Sequence, residues 1–487
     1  MLTRIKKLLF HNSTIRQTVA KNTFWLSISD FGGRFLRAAV IIYAARVLGT
    51  AEWGVFSYAI SFVTFVTVFT DIGINPLIVR EASRATADPL YRKKLLSTSL
   101  LFKAALTITG VLAVSLIGPR ITAIEGVRLI LPLAIFIFAF DSIRNFGYSI
   151  IRSIEKMEIE AFLNILMNAA IVTLGFIFLG ISSTVFSFTF AYVLGTGIGT
   201  LLTLYALRGH LSGIFSHFSF PVLKLLISSG WPLAISNFLG MLMINTDILI
   251  IGWLLSASDV GLYSAAQRIV QLLYLVPGIL TMSLLPVLSR LARENTEKLT
   301  RMLELVLSFT FFVAIPIAVG GIILGEPIME LVFGSEYLPA TISFQILLAT
   351  ILIDFPVVIL SNVAFAYNRQ KSLIAYSAIG GVSNIILDLI LIPWFGIAGS
   401  AWATFFAQLI SVFYLQTVVR TVTNPKVFRN LSKVIISTCI MAVAVLLSSI
   451  IGLHVVLSVV IGMIVYFGFL FQLKEPLLRE IKAATRT

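Results

Sequence analysis

The feature that most constrains this chain is a succession of apolar runs, each about 20 residues or longer, separated by short polar connections. A run of that length, wound as a helix, crosses a hydrocarbon core of roughly 30 Å. Backbone inside lipid must satisfy its own hydrogen bonds, which leaves only helices and closed barrels. Measured this way, the sequence predicts fourteen spans, at about 22–47, 53–79, 95–117, 122–147, 159–180, 184–207, 224–252, 260–287, 301–324, 339–366, 372–393, 397–419, 433–452 and 454–472. Composition points the same way: 58% of residues are apolar, only 12% are charged, and mean hydropathy is +1.00. A soluble domain carries about 25% charged residues, so soluble enzymes, disordered chains and secreted disulfide scaffolds are excluded. The single cysteine, Cys439, lies mid-way in an apolar run and is expected to be a buried, inert thiol. The first run lacks the short apolar core and small-residue cleavage site of a signal peptide, so it reads as a retained span.

Net charge is +14, from 36 Lys and Arg against 22 Asp and Glu. Its distribution is more informative than its size. Of the 36 basic residues, 28 lie in the N-terminal tail, in every second connection and in the C-terminal tail. The alternate connections hold Arg120 alone, and seven lie within spans. By the positive-inside rule this places both termini in the cytoplasm and requires an even number of spans. The charge is therefore an orientation signal that would also hold the protein to an anionic leaflet, and nucleic acid is not an expected partner.

No connection is long enough for a soluble catalytic domain, and no P-loop pattern occurs. His11, His210, His217 and His454 are scattered without metal-ligand spacing. The longest outer connection, 325–338, offers Glu326, Glu330 and Glu336 but no compact acidic motif. The chain is not expected to be an enzyme.

Self-similarity is present. The segment from Leu48 through Gly54 to Ala59 matches Leu255 through Gly261 to Ala266 at an offset of 207 residues. Spans 2 and 8 end in related patterns, Pro76-x-x-x-Arg80-x-Ala82 and Pro286-x-x-x-Arg290-x-Ala292. Further on, Asn168 matches Asn384, and Leu179-Gly-Ile181 matches Phe395-Gly-Ile397, at an offset of 216. Units of six spans are even-numbered, so both enter from the same side. The expected fold is an all-α polytopic membrane protein: two parallel six-helix lobes related by a pseudo-two-fold axis along the membrane normal, with a site between them and two extra C-terminal helices. The expected divisions are a basic cytoplasmic tail (1–21), an N-terminal lobe of spans 1–6 (22–208), an interlobe connection (209–223), a C-terminal lobe of spans 7–12 (224–420), spans 13 and 14 (433–472) and a second cytoplasmic tail (473–487). Phe215, Phe218 and Phe220 mark the interlobe connection as interfacial.

Three stretches carry a family resemblance: Asn22-Thr-Phe-Trp-Leu in span 1, Asp71-Ile-Gly-Ile with Val79-Arg-Glu-Ala-Ser-Arg84 around the end of span 2, and Asp247-Ile-Leu-Ile-Ile-Gly252 with Val260-Gly-Leu-Tyr-Ser264 in spans 7 and 8. In these the chain resembles the polysaccharide-transporter flippases of the O-antigen (Wzx) type. Their superfamily also contains multidrug-extrusion and lipid II flippases. The resemblance covers the whole chain and implies a central cationic cavity lined by spans 1, 2, 7 and 8.

A charge at mid-bilayer costs about 2.5–3.5 kcal/mol on insertion scales, so each needs a partner or a wet cavity. Span 1 carries Asp30, Arg34 and Arg37 on one narrow helical stripe, with Gly32-Gly33 expected to interrupt the helix beside them. One reading is an Asp30–Arg34 pair that locks helices together. The other is that Arg34 and Arg37 hold an anionic head group, since a guanidinium fork donates bidentate, charge-assisted hydrogen bonds to a diphosphate. Arg268 on span 8 is a further candidate, about 100° off the Tyr263, Gln267, Val270, Tyr274 stripe. Arg144 is expected to pair with Asp141, as a residue at the cavity mouth or as a snorkelling helix-end arginine. Lys103 and Arg128 have no assignment from pattern alone.

The second lobe carries oxygen ligands. Asn384 and Asp388 share a face of span 11, Ser400 and Thr404 share a face of span 12, and Asp247 follows Asn245 on span 7. Asp247, Asn384, Asp388 and Thr404 are candidates for a hard monovalent cation, and the resemblance implies a sodium site of similar layout. The competing reading is helix-to-helix hydrogen bonding by Asn384 and Thr404. Asp354, two residues before Pro356, is a candidate protonatable carboxylate.

The expected function is alternating-access transport of a polyprenyl-diphosphate-linked oligosaccharide across the cytoplasmic membrane, coupled to Na+ or H+, with no cofactor. Bends at Gly32-Gly33, Gly230-Trp-Pro232 and Pro277 would allow the helices to flex. Expected partners are the lipid-linked glycan, membrane lipids, and the glycosyltransferases and polymerase of a glycan pathway. The alternatives are a multidrug/cation antiporter of the same fold, whose cationic drugs two central arginines would repel, and a lipid II flippase, which differs only in head group.

Overall fold

The structure, a computed structural model, describes residues 15–85, 88–211, 216–428 and 431–473. The basic residues of both tails lie outside this range, apart from Arg16 and Lys21. The described residues are helical apart from short connections, with no strand among them. Fifteen α-helices follow in order: α1 Ile15–Asp71, α2 Ile74–Arg84, α3 Pro89–Ile121, α4 Glu125–Ser153, α5 Met157–Ile181, α6 Val185–Leu211, α7 Phe220–Leu254, α8 Ala257–Leu273, α9 Leu275–Glu294, α10 Thr296–Ile323, α11 Gly325–Phe333, α12 Thr341–Ala366, α13 Gln370–Arg420, α14 Ser432–Ile450 and α15 Val455–Gln472. A short 3-10 turn, Ser335–Ala340, precedes α12.

Eleven of these stretches are long and apolar enough to cross a membrane. Two are of double length. As a straight rod, the 57 residues of α1 would reach about 85 Å, far more than one crossing requires. The helix turns back at Gly49 (φ 72°), and α13 does the same at Gly396 (φ 58°). Both are left-handed positions that glycine occupies without steric cost. Span 8 is divided between α8 and α9 at Tyr274. Counted this way, the elements fit the fourteen-span layout.

Local chemistry sets several helix starts. Asp88 caps α3, accepting from the Tyr91 amide at 2.9 Å, with Pro89 as the first helical residue. Asn295 caps α10 through the Lys298 amide at 2.9 Å. Helix α1 begins before residue 22, so Lys21, assigned by sequence to the tail, lies inside the helix. It is buried, with Nζ 2.9 Å from Glu158 Oε2 on α5.

The chain forms two compact units, Met1–Gly261 and Leu262–Thr487. The division falls later than residue 224, where the repeat starts its second half. In the first unit, a core of Ile74, Leu77, Leu95, Phe146, Leu163 and Leu207 also includes Val222 and Leu226 from the start of α7. Ion pairs with one buried member each tie its helices together: buried Lys103 Nζ to Asp71 Oδ1 at 2.9 Å, and Arg152 to buried Glu160 at 2.5 Å. Span 2 breaks between α1 and α2 at Ile72 (φ 36°) and Gly73 (φ 68°). A left-handed conformation at a β-branched residue is strained. It is held by the Asp71–Lys103 pair on one side and by α7 on the other, where a Cβ on Gly230 would lie 2.4 Å from the Ile72 carbonyl oxygen.

In the second unit, one core joins Leu288, Leu303, Leu307, Leu360, Val363 and Leu415 from α9, α10, α12 and α13. Another places α14 and α15 against α10 through Phe312, Val434, Met441 and Tyr466, whose hydroxyl donates to the Phe312 carbonyl at 2.6 Å. Between α8, α10, α12, α14 and α15 lies an apolar cavity of about 460 Å³, walled by residues such as Ile269, Val313, Gly320, Leu348, Met441 and Phe467. Cys439 departs from expectation. It is exposed on α14 beside Ile435 and Ile436, on a face where an apolar exterior would meet lipid. Its position in an apolar run does not distinguish lipid exposure from burial in protein.

Candidate substrate and cation sites

Asp30, Arg34 and Arg37 lie on the first arm of α1, as their spacing requires, but the two arginines meet different partners. Arg34 Nε donates to Asp30 Oδ1 at 3.0 Å, with both side chains about half exposed (49% and 44%). Arg37 reaches across to α5, where its Nε and Nη2 both donate to Asn168 Oδ1, at 3.1 and 2.9 Å. Asn168 is buried and donates through Nδ2 to the Asn164 carbonyl at 2.8 Å and to Asn164 Oδ1 at 3.2 Å. Asn164 in turn donates to Ser29 Oγ at 2.9 Å. The expected helix interruption at Gly32-Gly33 is absent, since α1 is helical there and leaves helical geometry only at Gly49. Gly33 serves packing instead: a Cβ on it would lie 2.9 Å from Asn168 Nδ2 and 3.2 Å from Asn164 Nδ2. Sequence reasoning treated Asn168 only as the repeat partner of Asn384. The available signal was the i,i+4 pair Asn164 and Asn168 in an otherwise apolar span, the same pattern that singled out Asn384 and Asp388.

Arg144 neither snorkels nor lines a mouth. Its guanidinium is buried, 2.5 Å from Asp141 Oδ1 and 5.6 Å from the centre of the Tyr148 ring. Burial strips water from the guanidinium, and the attraction of the Asp141 carboxylate offsets that desolvation cost. Lys103 is the partner of Asp71, and Arg128 Nη2 donates to the Thr122 carbonyl at 3.2 Å, partners that pattern alone did not give. Arg268 belongs to the second unit, on α8, where its Nη1 donates to Gln271 Oε1 at 3.2 Å.

Of the cation candidates, Asp247 is buried on α7 in the first unit. The others belong to the second unit. Gly396 folds α13 back on itself, so Asn384 and Thr404 from its two arms approach each other, with Nδ2 to Oγ1 at 3.4 Å. Tyr263 Oη on α8 lies 3.5 Å from the same Thr404 hydroxyl. Asp388 and Ser400 are fully buried. Among the described residues Ser400 Oγ has no hydrogen-bond partner, an orphaned buried oxygen that a cation would satisfy. The donor set of amide, carboxylate and hydroxyl oxygens suits a hard cation. Among the described residues no three His, Cys, Asp or Glu side chains gather as metal ligands. If these oxygens hold sodium, calorimetric titration of the purified protein with NaCl gives saturable binding that is lost in Asp388→Asn. Unchanged binding in that variant would remove Asp388 from the site.

Asp354 stands apart. It is buried on α12 and accepts a hydrogen bond from the Tyr274 hydroxyl at the α8–α9 break, with Thr350 and Gln408 also within hydrogen-bonding reach. These partners are all neutral groups, so the site suits a carboxylate that exchanges a proton.

Among the described residues, helices that fit fourteen crossings, with no strand, define the class: a polytopic, all-helical membrane protein. Residues 19–292 match the family model for polysaccharide biosynthesis proteins, more than half of the chain, and residues 232–390 match the MatE model. The chain belongs to the polysaccharide biosynthesis protein family. It is 25% identical to a Haloferax volcanii protein named as a low-salt glycan biosynthesis flippase, over 79% of this chain and 80% of that one. It is 21% identical to a Shigella flexneri protein named as an O-antigen transporter, over 66% and 78%. Among solved structures, the lipid II flippase MurJ in an inward closed conformation covers 91% of this chain and 97% of its own, with a TM-score of 0.76 and 20% identity. An inward-facing multidrug transporter of the MATE family covers 86% and 98%, with a TM-score of 0.60 and 16% identity. At such identities the likeness is one of fold.

Proposed function

We propose that this protein is a flippase that carries a polyprenyl-diphosphate-linked oligosaccharide across the cytoplasmic membrane by alternating access. Both termini are cytoplasmic, and the protein acts as a transporter, not as an enzyme. The observation that carries the reading is the partner of Arg37. Its two engaged donors meet a neutral amide, so its full positive charge remains available beside the half-exposed Asp30–Arg34 pair. A lipid-linked sugar presents a diphosphate at this point of its structure. Two guanidiniums one helical turn apart can grip it while the prenyl chain stays in lipid and the sugars cross through a wet cavity. The relatives named as glycan flippases support the substrate class. A site for cationic drugs would place carboxylates where this span places arginines.

A cation held by Asn384, Asp388 and Thr404, with Asp247 as a further candidate, or a proton on Asp354, would drive transport. It does so only by binding two conformations with different affinities. Arg268 is a further candidate for the anionic head group. Glycosyltransferases and a polymerase of the same glycan pathway are the partners such a substrate requires.

The reading is tested in cells whose surface glycan depends on this protein. Arg34→Ala/Arg37→Ala is expected to reach the membrane at normal levels and to lose glycan export. Full export by that variant would remove the diphosphate role.

A further inference from the structure

We infer that Asn168 is a positioning residue for Arg37, holding the guanidinium toward the diphosphate without spending its charge; the inference rests on the diphosphate reading above. A guanidinium has five N–H donors. Asn168 Oδ1 takes two of them, one from Nε and one from Nη2, and among the described residues the other three have no hydrogen-bond acceptor. An aspartate at this position would bind the guanidinium more strongly and cancel the charge that attracts the ligand. An apolar residue would leave the long side chain free among its rotamers. A buried amide avoids both outcomes.

The amide is itself held. Its oxygen must face Arg37 because its nitrogen is committed to Asn164 O and Oδ1, and Asn164 is committed in turn to Ser29, about two helical turns before Arg37 on the same helix. The hydrogen bonds therefore run from α1 to α5 and back to α1, fixing the register of the two helices around the arginine. Gly33 makes this approach possible, since any side chain there would meet both asparagine amides. The repeat places Asn384 at the equivalent position of the second half, where it approaches Thr404. The same amide position thus serves an anion-binding arginine in one half and an oxygen cluster in the other.

The test is a double-variant cycle on the affinity of the detergent-purified full chain for inorganic pyrophosphate and farnesyl diphosphate. Arg37→Ala is expected to weaken binding about ten-fold, as for loss of one charge-assisted contact. Asn168→Ala is expected to weaken it measurably but by no more than that, because the arginine remains and loses only its position. In the double variant the loss should be no greater than for Arg37→Ala alone, because Asn168 acts through that arginine. Additive losses, or an Asn168→Ala variant that binds like the parent while Arg37→Ala is weakened, would overturn the positioning role and leave the diphosphate reading standing. Unchanged binding in Arg37→Ala would overturn both. If Asn168→Ala does not fold, Asn164→Ala replaces it in the cycle. It is expected to show a smaller loss that disappears in the Arg37→Ala background, and a loss that persists there would overturn the role.

Discussion

A Thr50→Cys/Ser258→Cys variant, made in a Cys439→Ser background, should stop glycan export when oxidised and regain it on reduction. The expectation follows from the turns that end spans 1 and 7. Thr50 Oγ1 lies 2.8 Å from Ser258 Oγ, close enough for sulfurs at those positions to bond after small adjustment. The two turns are the repeat-related segments of the sequence, and their contact is reciprocal. A Cβ on Gly54 would lie 1.7 Å from the Ala257 carbonyl oxygen, and a Cβ on Gly261 would lie 1.9 Å from the Thr50 carbonyl oxygen. Residues 207 apart in sequence therefore exchange roles, glycine against carbonyl, in both directions. In the proposed orientation these turns face away from the cytoplasm, and alternating access requires them to part. A covalent link would hold them closed. Conversely, Gly54→Ala or Gly261→Ala should keep them apart, because an overlap with backbone cannot be relieved by side-chain rotation. A cost of even about 1.4 kcal/mol shifts the closed population ten-fold. Such variants should therefore resist the Thr50–Ser258 cross-link. Undiminished export from fully cross-linked protein would show that the turns stay together during transport.

Lys103→Met should cost about 3 kcal/mol of stability, read as a lowered melting midpoint and reduced membrane yield, whereas Lys103→Met/Asp71→Leu should recover most of the loss. Lys103 is buried, with only 4% of its side chain exposed, and Asp71 retains 25%. Removing one member of a buried pair leaves the other charge without compensation, typically at about 3–5 kcal/mol. The partial exposure of Asp71 places the cost at the lower end. Replacing both with apolar groups removes the desolvation penalty along with the attraction. The pair also adjoins the strained Ile72-Gly73 break of span 2, so the single variant should loosen that break. A double variant as unstable as the single one would mean that Asp71 holds the break by contacts other than the lysine.

Much of the architecture was legible in sequence because lipid imposes a simple rule. Apolar length and helical closure of backbone hydrogen bonds leave little freedom, so the spans are found to within a few residues. The turn at Gly49 and its counterpart at Gly396 also follow from length, because neither double run could be one crossing. The charged stripe of Asp30, Arg34 and Arg37 followed from helical periodicity. Partnership did not, because a helix wheel gives the direction of a side chain but not the element it faces. Arg34 met the acid one turn away, as expected, but Arg37 met an asparagine 131 residues along the chain. Arg144 met Asp141, as its spacing predicted, but the burial of its guanidinium beside Tyr148 could not be read from spacing.

Glycines gave the least reliable sequence signal, and for one reason. Gly32-Gly33 read as a helix break, yet the helix is continuous and Gly33 makes room for two asparagines. Gly54 and Gly261 read only as matching positions of an internal repeat, yet they are the points where two turns touch through backbone. A missing Cβ permits either unusual dihedrals or close approach, and sequence does not say which. By itself, then, the sequence determined the helical class, the number of crossings, the internal repeat and the placement of two arginines in the first span, all of which depend on local pattern and chain length. The tertiary structure alone decided that Arg37 meets a neutral amide, that Lys103 pairs with Asp71, that Arg144 is buried beside Tyr148, and that the repeat-related turns close on each other. Those outcomes depend on which surfaces meet, and hydrophobic burial between helices is non-directional until particular small and polar residues fix the register.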